Sequence, residues 1–507
     1  MKWPALLFLF AQLSLLSVFS YFAFFNYLYG FASLWRPKYR RVAPSGNRIA
    51  VVVVSFNEKY VLEDTIRSCE ALRYSNKLVI VADDSTDADI VDRLRRLAIA
   101  KGCRKKQNHL FREVVDSTVN PPVTEPIEIW ESDGFVLFHR PFNAGFKAGS
   151  LVKIEAYLKY RGIDLMYLLD ADWHPQESAL EKTLAVLEAD KNIAFVQTRR
   201  ESFPKGMNRF QKYVTLFEEG CYHVDFEGRQ VLGHPILFSG CCTLFRMAAV
   251  NDVGGFTSGH LTEDLDITDR FWLKGWKGIY LGDVVNYGEV PFTYDHFRRQ
   301  QERWAAGSTR ALKTYFGPLL ASKKLSGFKK LSAIRQNAYF TTTLLTIIAI
   351  LTGSLTFFWI TLCWNSYSVE YYLYLLGLIK LPLVVLIYGC ILSNFIEPLI
   401  MIAVKKKNFR EIVRLPMMVW YAWSILPTYA IGNIKGLFDQ KLDWFRTPKF
   451  NRNAPKQSGG LPLAIRLVNV SIFAGLLCFY FCQGWFFGWF DEFVLILLPA
   501  FFLASLK

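Results

Sequence analysis

The chain has few of the features that would mark a zinc-bound or disulfide-stapled protein. Of its nine cysteines, none falls into the paired spacing of a zinc site or a disulfide framework. Cys241 and Cys242 are adjacent, and Cys363, Cys390, Cys478 and Cys482 lie in or beside apolar stretches, where cysteine serves as a small hydrophobe. Charged residues are missing altogether from residues 3 to 35 and 336 to 369. Each of these segments exceeds the ~20 apolar residues that span a bilayer core. The first is too long for the ~7 to 15-residue apolar part of a cleaved signal peptide and no small-residue cleavage site closes it, so it is expected to stay as an anchor. Also lacking is the aromatic-interleaved basic pattern of a nucleic-acid groove. The net charge of +15 sits at membrane edges and in one loop, Lys101 to Arg112, which points to membrane-surface electrostatics and away from a nucleic-acid partner.

What is present is a high hydrophobic fraction, 52%, with 16% aromatic residues, gathered toward the two ends. Arg36, Lys38, Arg40 and Arg41 follow the first apolar run, and Lys405, Lys406 and Lys407 follow a later one. The positive-inside tendency puts both flanks, and with them the hydrophilic middle, in the cytoplasm. Residues 371 to 404, with Lys380 and Glu397, and 467 to 490 form further apolar stretches, and a weaker one ends at Leu506. Residues 415 to 434 are uncharged too, but Pro416, Pro427 and Gly432 interrupt them. A crossing there would also export the segment Trp444-Phe-Arg-Thr-Pro-Lys449, so an interfacial or re-entrant helix is expected. The sum is about five crossings, a multi-pass integral membrane protein of the lipid bilayer with an extracytoplasmic N-terminus.

In the middle, strands are expected at residues 49–54, 77–82, 135–140, 165–170 and 193–198, with helices from about Glu58 to Arg73 and on to about residue 101. This is the βαβ rhythm of a parallel sheet, which binds ligands beyond the carboxyl ends of its strands. The polar motifs fall at those ends: Ser55-Phe56-Asn57-Glu58, Asp83-Asp84-Ser85 and Asp170-Ala171-Asp172. Asp170 and Asp172, short hard carboxylates one residue apart, suit Mg²⁺ or Mn²⁺ shared with a diphosphate. Phe56 can stack on a nucleobase, and Glu58 or a carboxylate of Asp83-Asp84 can accept from base or ribose. Alternatively Asp84, Ser85 or Asp87 merely caps the following helix. Lys147, in the turn Asn143-Ala-Gly-Phe-Lys-Ala-Gly149, can meet a phosphate, although the Walker spacing is absent. Thr262-Glu263-Asp264 offers a general base. Gln300-Gln301-Glu302-Arg303-Trp304 offers amide, guanidinium and indole on one helical turn, or else a membrane-interface anchor.

This ordered series resembles the processive, membrane-embedded family-2 glycosyltransferases: cellulose, hyaluronan and chitin synthases, and especially cellulose-synthase-like mannan synthases. The resemblance covers nearly the whole chain and implies an α/β GT-A-like, Rossmann-like catalytic domain beside an α-helical transmembrane bundle with interfacial helices. It implies a membrane helix at 1–35, a glycosyltransferase domain at 36–285, interfacial helices at 286–335 and a second membrane region at 336–507. That last region would hold an interfacial helix at about 410–436 and a gating loop at about 440–455. By resemblance, Asp83 or Asp84 binds nucleoside, Asp170 and Asp172 hold metal and diphosphate, and Asp264, beside Glu263, is the base. Gln300, Arg303 and Trp304 line the acceptor and diphosphate site, and the gating loop brings Thr447 and Lys449 to the diphosphate. Gly240, Cys241 and Cys242 occupy the acceptor loop, where the paired cysteines depart from the family's small residues. The partners implied are a UDP- or GDP-linked sugar and a polysaccharide acceptor, in a plasma, inner or Golgi membrane. With one base and no second carboxylate motif for double displacement, inversion is expected: a polysaccharide synthase coupled to export. The alternatives are a non-processive transferase loading a lipid carrier and a non-catalytic membrane scaffold. No regulatory domain is expected beyond the last span.

Overall fold

The computed structural model describes residues 3–107, 110–116, 123–203, 206–259, 262–363, 366–440 and 447–449. Its strands in chain order are β1 (Ile49–Ser55), β2 (Lys77–Asp83), β3 (Arg104–Lys105), β4 (Arg112–Asp116), β5 (Val123–Pro126) and β6 (Glu128–Glu131). They continue with β7 (Phe135–His139), β8 (Leu165–Asp170), β9 (His174–Pro175), β10 (Ile193–Ser202), β11 (Thr243–Arg246) and β12 (Lys277–Gly288). Ten of them make one sheet in the order β3-β6-β7-β2-β1-β8-β11-β10-β12-β9, and β4 pairs with β5 apart from it. Alternation splits β1 between the two faces: Ala50 and Val52 enter one buried cluster, Ile49, Val51 and Val53 the other. Apolar residues run continuously through such a strand because helices cover both sides.

The expected strands are all present, but the sheet is mixed. Strands β7, β2, β1 and β8 are parallel, then β11 lies antiparallel between β8 and β10, and β10 runs parallel to β12. At four residues, β11 is too short for its alternation to stand out from a loop. Its insertion matters. Two antiparallel steps leave β10 pointing the same way as β8, so the carboxyl ends of β1, β2, β8, β10 and β12 meet one edge, together with the loop that enters β11. Register makes the convergence sharp, since Ser55 pairs with Asp83, Val54 with Asp170, and Asp83 with His139. The helices are shorter than expected, Leu62–Glu70 and Ala88–Ala100, and the second is capped by Asp87, whose side chain accepts from the Asp89 N–H.

Among the described residues three helices are long and apolar enough to cross a membrane: Trp3–Ala32, Thr341–Leu362 and Tyr367–Lys405. The stretch at 415–434 forms two short helices, Leu415–Ser424 and Leu426–Leu437. The spans expected at 467–490 and toward Leu506 lie outside the described residues, as do Cys478, Cys482 and Trp444.

Where the sheet domain meets these helices lies a buried charge cluster that no sequence motif announces. Asp225 accepts from Arg229 Nε at 2.5 Å and from Arg335 Nη1 at 2.8 Å. All three side chains are almost fully buried, and both guanidinium groups lie over the Tyr29 ring, at 4.6 and 5.3 Å. Tyr29 OH donates onward to Ser332 at 2.7 Å. One carboxylate flanked by two guanidinium groups and an aromatic face is the arrangement that keeps buried charge tolerable. Beside it, a Cβ on Gly228 would sit 2.1 Å from the Tyr29 carbonyl oxygen, so the helix Phe226–Leu232 rests backbone to backbone on the first apolar helix. Gly228→Ala is therefore expected to cost about 1–3 kcal/mol through overpacking and to lower the thermal midpoint of the purified protein. An unchanged midpoint would refute that contact.

Candidate active site

A cavity of about 220 Å³ opens at the carboxyl edge of the sheet. Phe56, Glu58, Asp84, Lys147, Asp170, Asp172, Gly240, Glu263, Asp264, Gln300, Arg303, Trp304, Thr447 and Lys449 all line it. Asp83, Cys241 and Cys242 do not. Asp83 is buried one step behind, accepting from Ser85 Oγ at 2.6 Å and paired with His139 Nδ1 at 2.8 Å. Its part is to hold the loop. The two cysteines are fully buried because Gln197 Nε2 and Thr198 Oγ1 draw their carbonyls inward, at 3.0 and 2.6 Å. Neither cysteine lines the cavity, while Gly240 alone of that loop's predicted residues does.

The first two motifs are tied to each other. Asn57 takes the left-handed conformation, φ 53°, which asparagine tolerates, and its carboxamide oxygen accepts from the Thr86 and Asp87 N–H groups, both at 3.0 Å. Arg140 then holds Asp84 with two bonds of 2.7 and 2.6 Å and reaches the Ala144 carbonyl at 3.1 Å, fastening the Lys147 turn. Burial pushes the Asp84 carboxyl up to about 6, against the pull of Arg140. Nothing in the sequence singled out Arg140 or Asn57 as the clamps.

Lys147 lies in the first turn of the helix Phe146–Tyr160. Its ammonium donates to Asp170 Oδ1 at 2.5 Å and to the Gly240 carbonyl at 2.7 Å, with Glu263 3.6 Å away. Against burial, Asp170 and Glu263 hold it above its ordinary value. Asp264 starts the helix Glu263–Lys274 and accepts from the Leu265 N–H at 2.9 Å. Burial, reinforced by Glu263, pushes its carboxyl up to about 7, so it can take a proton near neutrality. Within the helix Tyr294–Ala321 the five-residue motif divides by turn geometry. Gln300, Arg303 and Trp304 face the cavity, whereas Gln301 accepts from Tyr429 OH at 2.9 Å and Glu302 pairs with Lys435 at 2.6 Å. A membrane-anchor role for Arg303 and Trp304 does not fit that position. The sequence also passed over Trp173, Arg200, Glu218 and Tyr222, which line the far wall.

Residues 165–434, just over half of the chain, match the model of the glycosyl transferase family group 2. The chain belongs to that family. It is 30% identical to the probable glucomannan 4-beta-mannosyltransferase 9 of Oryza sativa subsp. japonica over 47% of each chain. It is 29% identical to glucomannan 4-beta-mannosyltransferase 2 of Arabidopsis thaliana over 47% of this chain and 46% of that one. It thus spans about half the length of these curated relatives. In fold it is similar to the mannosyltransferase PcManGT from Pyrobaculum calidifontis, solved in complex with GDP-Man and Mn2+. The TM-score is 0.50 at 15% identity, covering 87% of this chain and 99% of that one. The fold is GT-A-like.

The donor set fits a divalent ion that brings its own phosphate ligands. Among the described residues no group of three or more His, Cys, Asp or Glu side chains forms a ready cage, so Asp170 and Asp172 would share the ion with a diphosphate, as Mg²⁺ prefers. Asp172 Oδ2 is buried, and the Lys449 ammonium pairs with it at 2.6 Å. That ammonium also donates to the Glu289 carbonyl at 2.6 Å. A metal held by Asp172 would compete with the lysine for Oδ2. Lys449→Met is expected to bind Mn²⁺ several-fold more tightly than wild type without nucleotide, read by calorimetry, and equal affinities would refute the competition.

Proposed function

We propose that this family-2 protein is an inverting, metal-dependent polysaccharide synthase. It moves a hexose from a nucleoside diphosphate to the end of a growing β-linked glycan and passes the product through the adjoining membrane helices. The observation that carries the reading is Asp264: it lines the cavity with no ion-pair partner among the described residues, beside Arg303 and across from Asp170 and Asp172. GDP-mannose is the favoured donor, because the curated relatives are named as mannosyltransferases and the fold neighbour holds GDP-Man.

The chemistry follows from charge. Phe56, Glu58 and Asp84 take the nucleoside at the ends of β1 and β2, and Asp170 with Asp172 would hold Mg²⁺ or Mn²⁺, which when bound would offset negative charge on the leaving group. Lys147, Arg303, Thr447 and Lys449 surround the same phosphates, and Trp304 floors the acceptor. The acceptor hydroxyl attacks the anomeric carbon, Asp264 removes its proton, and the sugar–phosphate bond breaks with its electron pair leaving on the diphosphate. A single displacement inverts the centre. Along the chain the helix Tyr294–Ala321, which lines the cavity, is followed by Gly327–Asn337 and then by the apolar Thr341–Leu362, which supports such a route. The domain plan expected from the sequence, with residues 36–285 as a cytoplasmic catalytic unit, accommodates this route.

Asp264→Asn is expected to reduce transfer by at least about a hundredfold while GDP binding persists. In the wild type, Asp264 works only as carboxylate, and burial favours its neutral form, so transfer should rise as pH climbs through about 7 and fade below it. Radiolabelled product from GDP-mannose measures both. Unchanged turnover in the variant, or a rate flat through that range, would refute Asp264 as base.

A further inference from the structure

Nearly every charged side chain in the cavity wall has its counter-charge beside it. Asp84 is met by Arg140, Asp170 and Glu263 by Lys147, Asp172 by Lys449, Glu201 by Arg199 and Glu219 by Lys406. Apart from Asp264, the base, Arg200 and Glu218 line the cavity with no ion-pair partner among the described residues, even in each other. Arg200 Nε is buried without a hydrogen bond, and the guanidinium reaches only Cys241 Sγ at 3.5 Å. It is instead held between aromatic faces, 3.9 Å from the Tyr222 centroid and 5.4 Å from that of Trp173. The Trp173 ring is itself fixed, because a Cβ on Gly288 would lie 2.5 Å from it. Burial raises the Glu218 carboxyl to about 7, against the fields of Arg200 and Lys449.

Unmet polar groups in a cavity wall await a ligand that supplies their bonds. Position says which part of the ligand. Arg200 belongs to β10, two strands across the sheet from β8 and its carboxylates, roughly 10 Å at the ~4.8 Å interstrand spacing. That is beyond a diphosphate held at Asp170 and Asp172, on the side away from the nucleoside residues at β1 and β2. Opposite charges on one wall disfavour an anionic ligand and suit neutral hydroxyls, which both donate and accept. We propose that Arg200 and Glu218, braced by Trp173 and Tyr222, form an acceptor-sugar subsite that binds ring hydroxyls and thereby selects the glycan to be extended. It rests on the transferase reading above.

The test is titration calorimetry of the full chain in nanodiscs, against GDP with Mn²⁺ and separately against β-1,4-mannotetraose and cellotetraose. Arg200→Met and Glu218→Gln are each expected to weaken tetrasaccharide binding about tenfold or more with the GDP–Mn²⁺ affinity unchanged. Arg200→Lys, which keeps charge but loses the planar fork, should fall between. Should Arg200→Met unfold, as a lowered thermal midpoint would reveal, Glu218→Gln decides. Tetrasaccharide affinity unchanged in the folded variants overturns the subsite. So does a fall in GDP–Mn²⁺ affinity alone, which would assign Arg200 to the diphosphate. A wild type that binds GDP–Mn²⁺ but neither tetrasaccharide overturns the subsite and leaves the transferase reading standing. One that binds none of the three overturns both.

Discussion

Crowded carboxylates in a buried cavity are the constraint around which this protein is organised. In a low dielectric each must meet a cation, accept several hydrogen bonds, or sit partly neutral. The chain uses all three remedies within one cleft. Asp84 and Asp170 have a dedicated arginine and lysine, Asp83 is wrapped by Ser85 and His139, and Asp264 has neither and is pushed toward neutrality. The same sheet edge therefore presents acids in different electrostatic states, which in the proposed reaction would suit them to different tasks: holding a loop, sharing a metal, or receiving a proton. Chemistry and electrostatics would then be inseparable, because Lys147 and Lys449, which balance the cluster, are the cations proposed to meet the phosphates.

A parallel logic governs the junction with the long apolar helices. There Asp225, Arg229 and Arg335 are buried together over Tyr29, linking the sheet domain, the helix Gly327–Asn337 and the first apolar helix in one cluster. Truncating any one partner would strand the others. Catalytic domain and apolar helices thus share a polar knot as well as an apolar seam.

Much of this was legible in the sequence because β-branched runs and strand-end carboxylates are strong local signals. Ile49 to Val54 could hardly be anything but a buried strand, and motifs following such strands had to converge on one edge. The antiparallel β11 was not legible, since Thr243–Arg246 is too short to show a period. Cys241 and Cys242 were misplaced for a related reason: a residue's position in a motif does not say which way its side chain points, and Gln197 and Thr198, distant in sequence, draw that backbone inward. Arg140, Arg200 and Glu218 belong to no motif, and their roles exist only through contacts made across the fold.

The helix bearing Gln300, Arg303 and Trp304 shows how tightly two jobs are interleaved. Gln301 and Glu302, on its other side, bind Tyr429 and Lys435, and a Cβ on Gly432 or Gly436 would come within 2.6 or 2.4 Å of this helix's carbonyl oxygens. Inserting a single residue ahead of Gln300 would rotate the whole set by about 100°, putting Glu302 where Arg303 faces the cleft and carrying the indole off that face, whereas deleting one would put Arg303 where Glu302 meets Lys435. A substitution here disturbs one contact; a change of length disturbs them all.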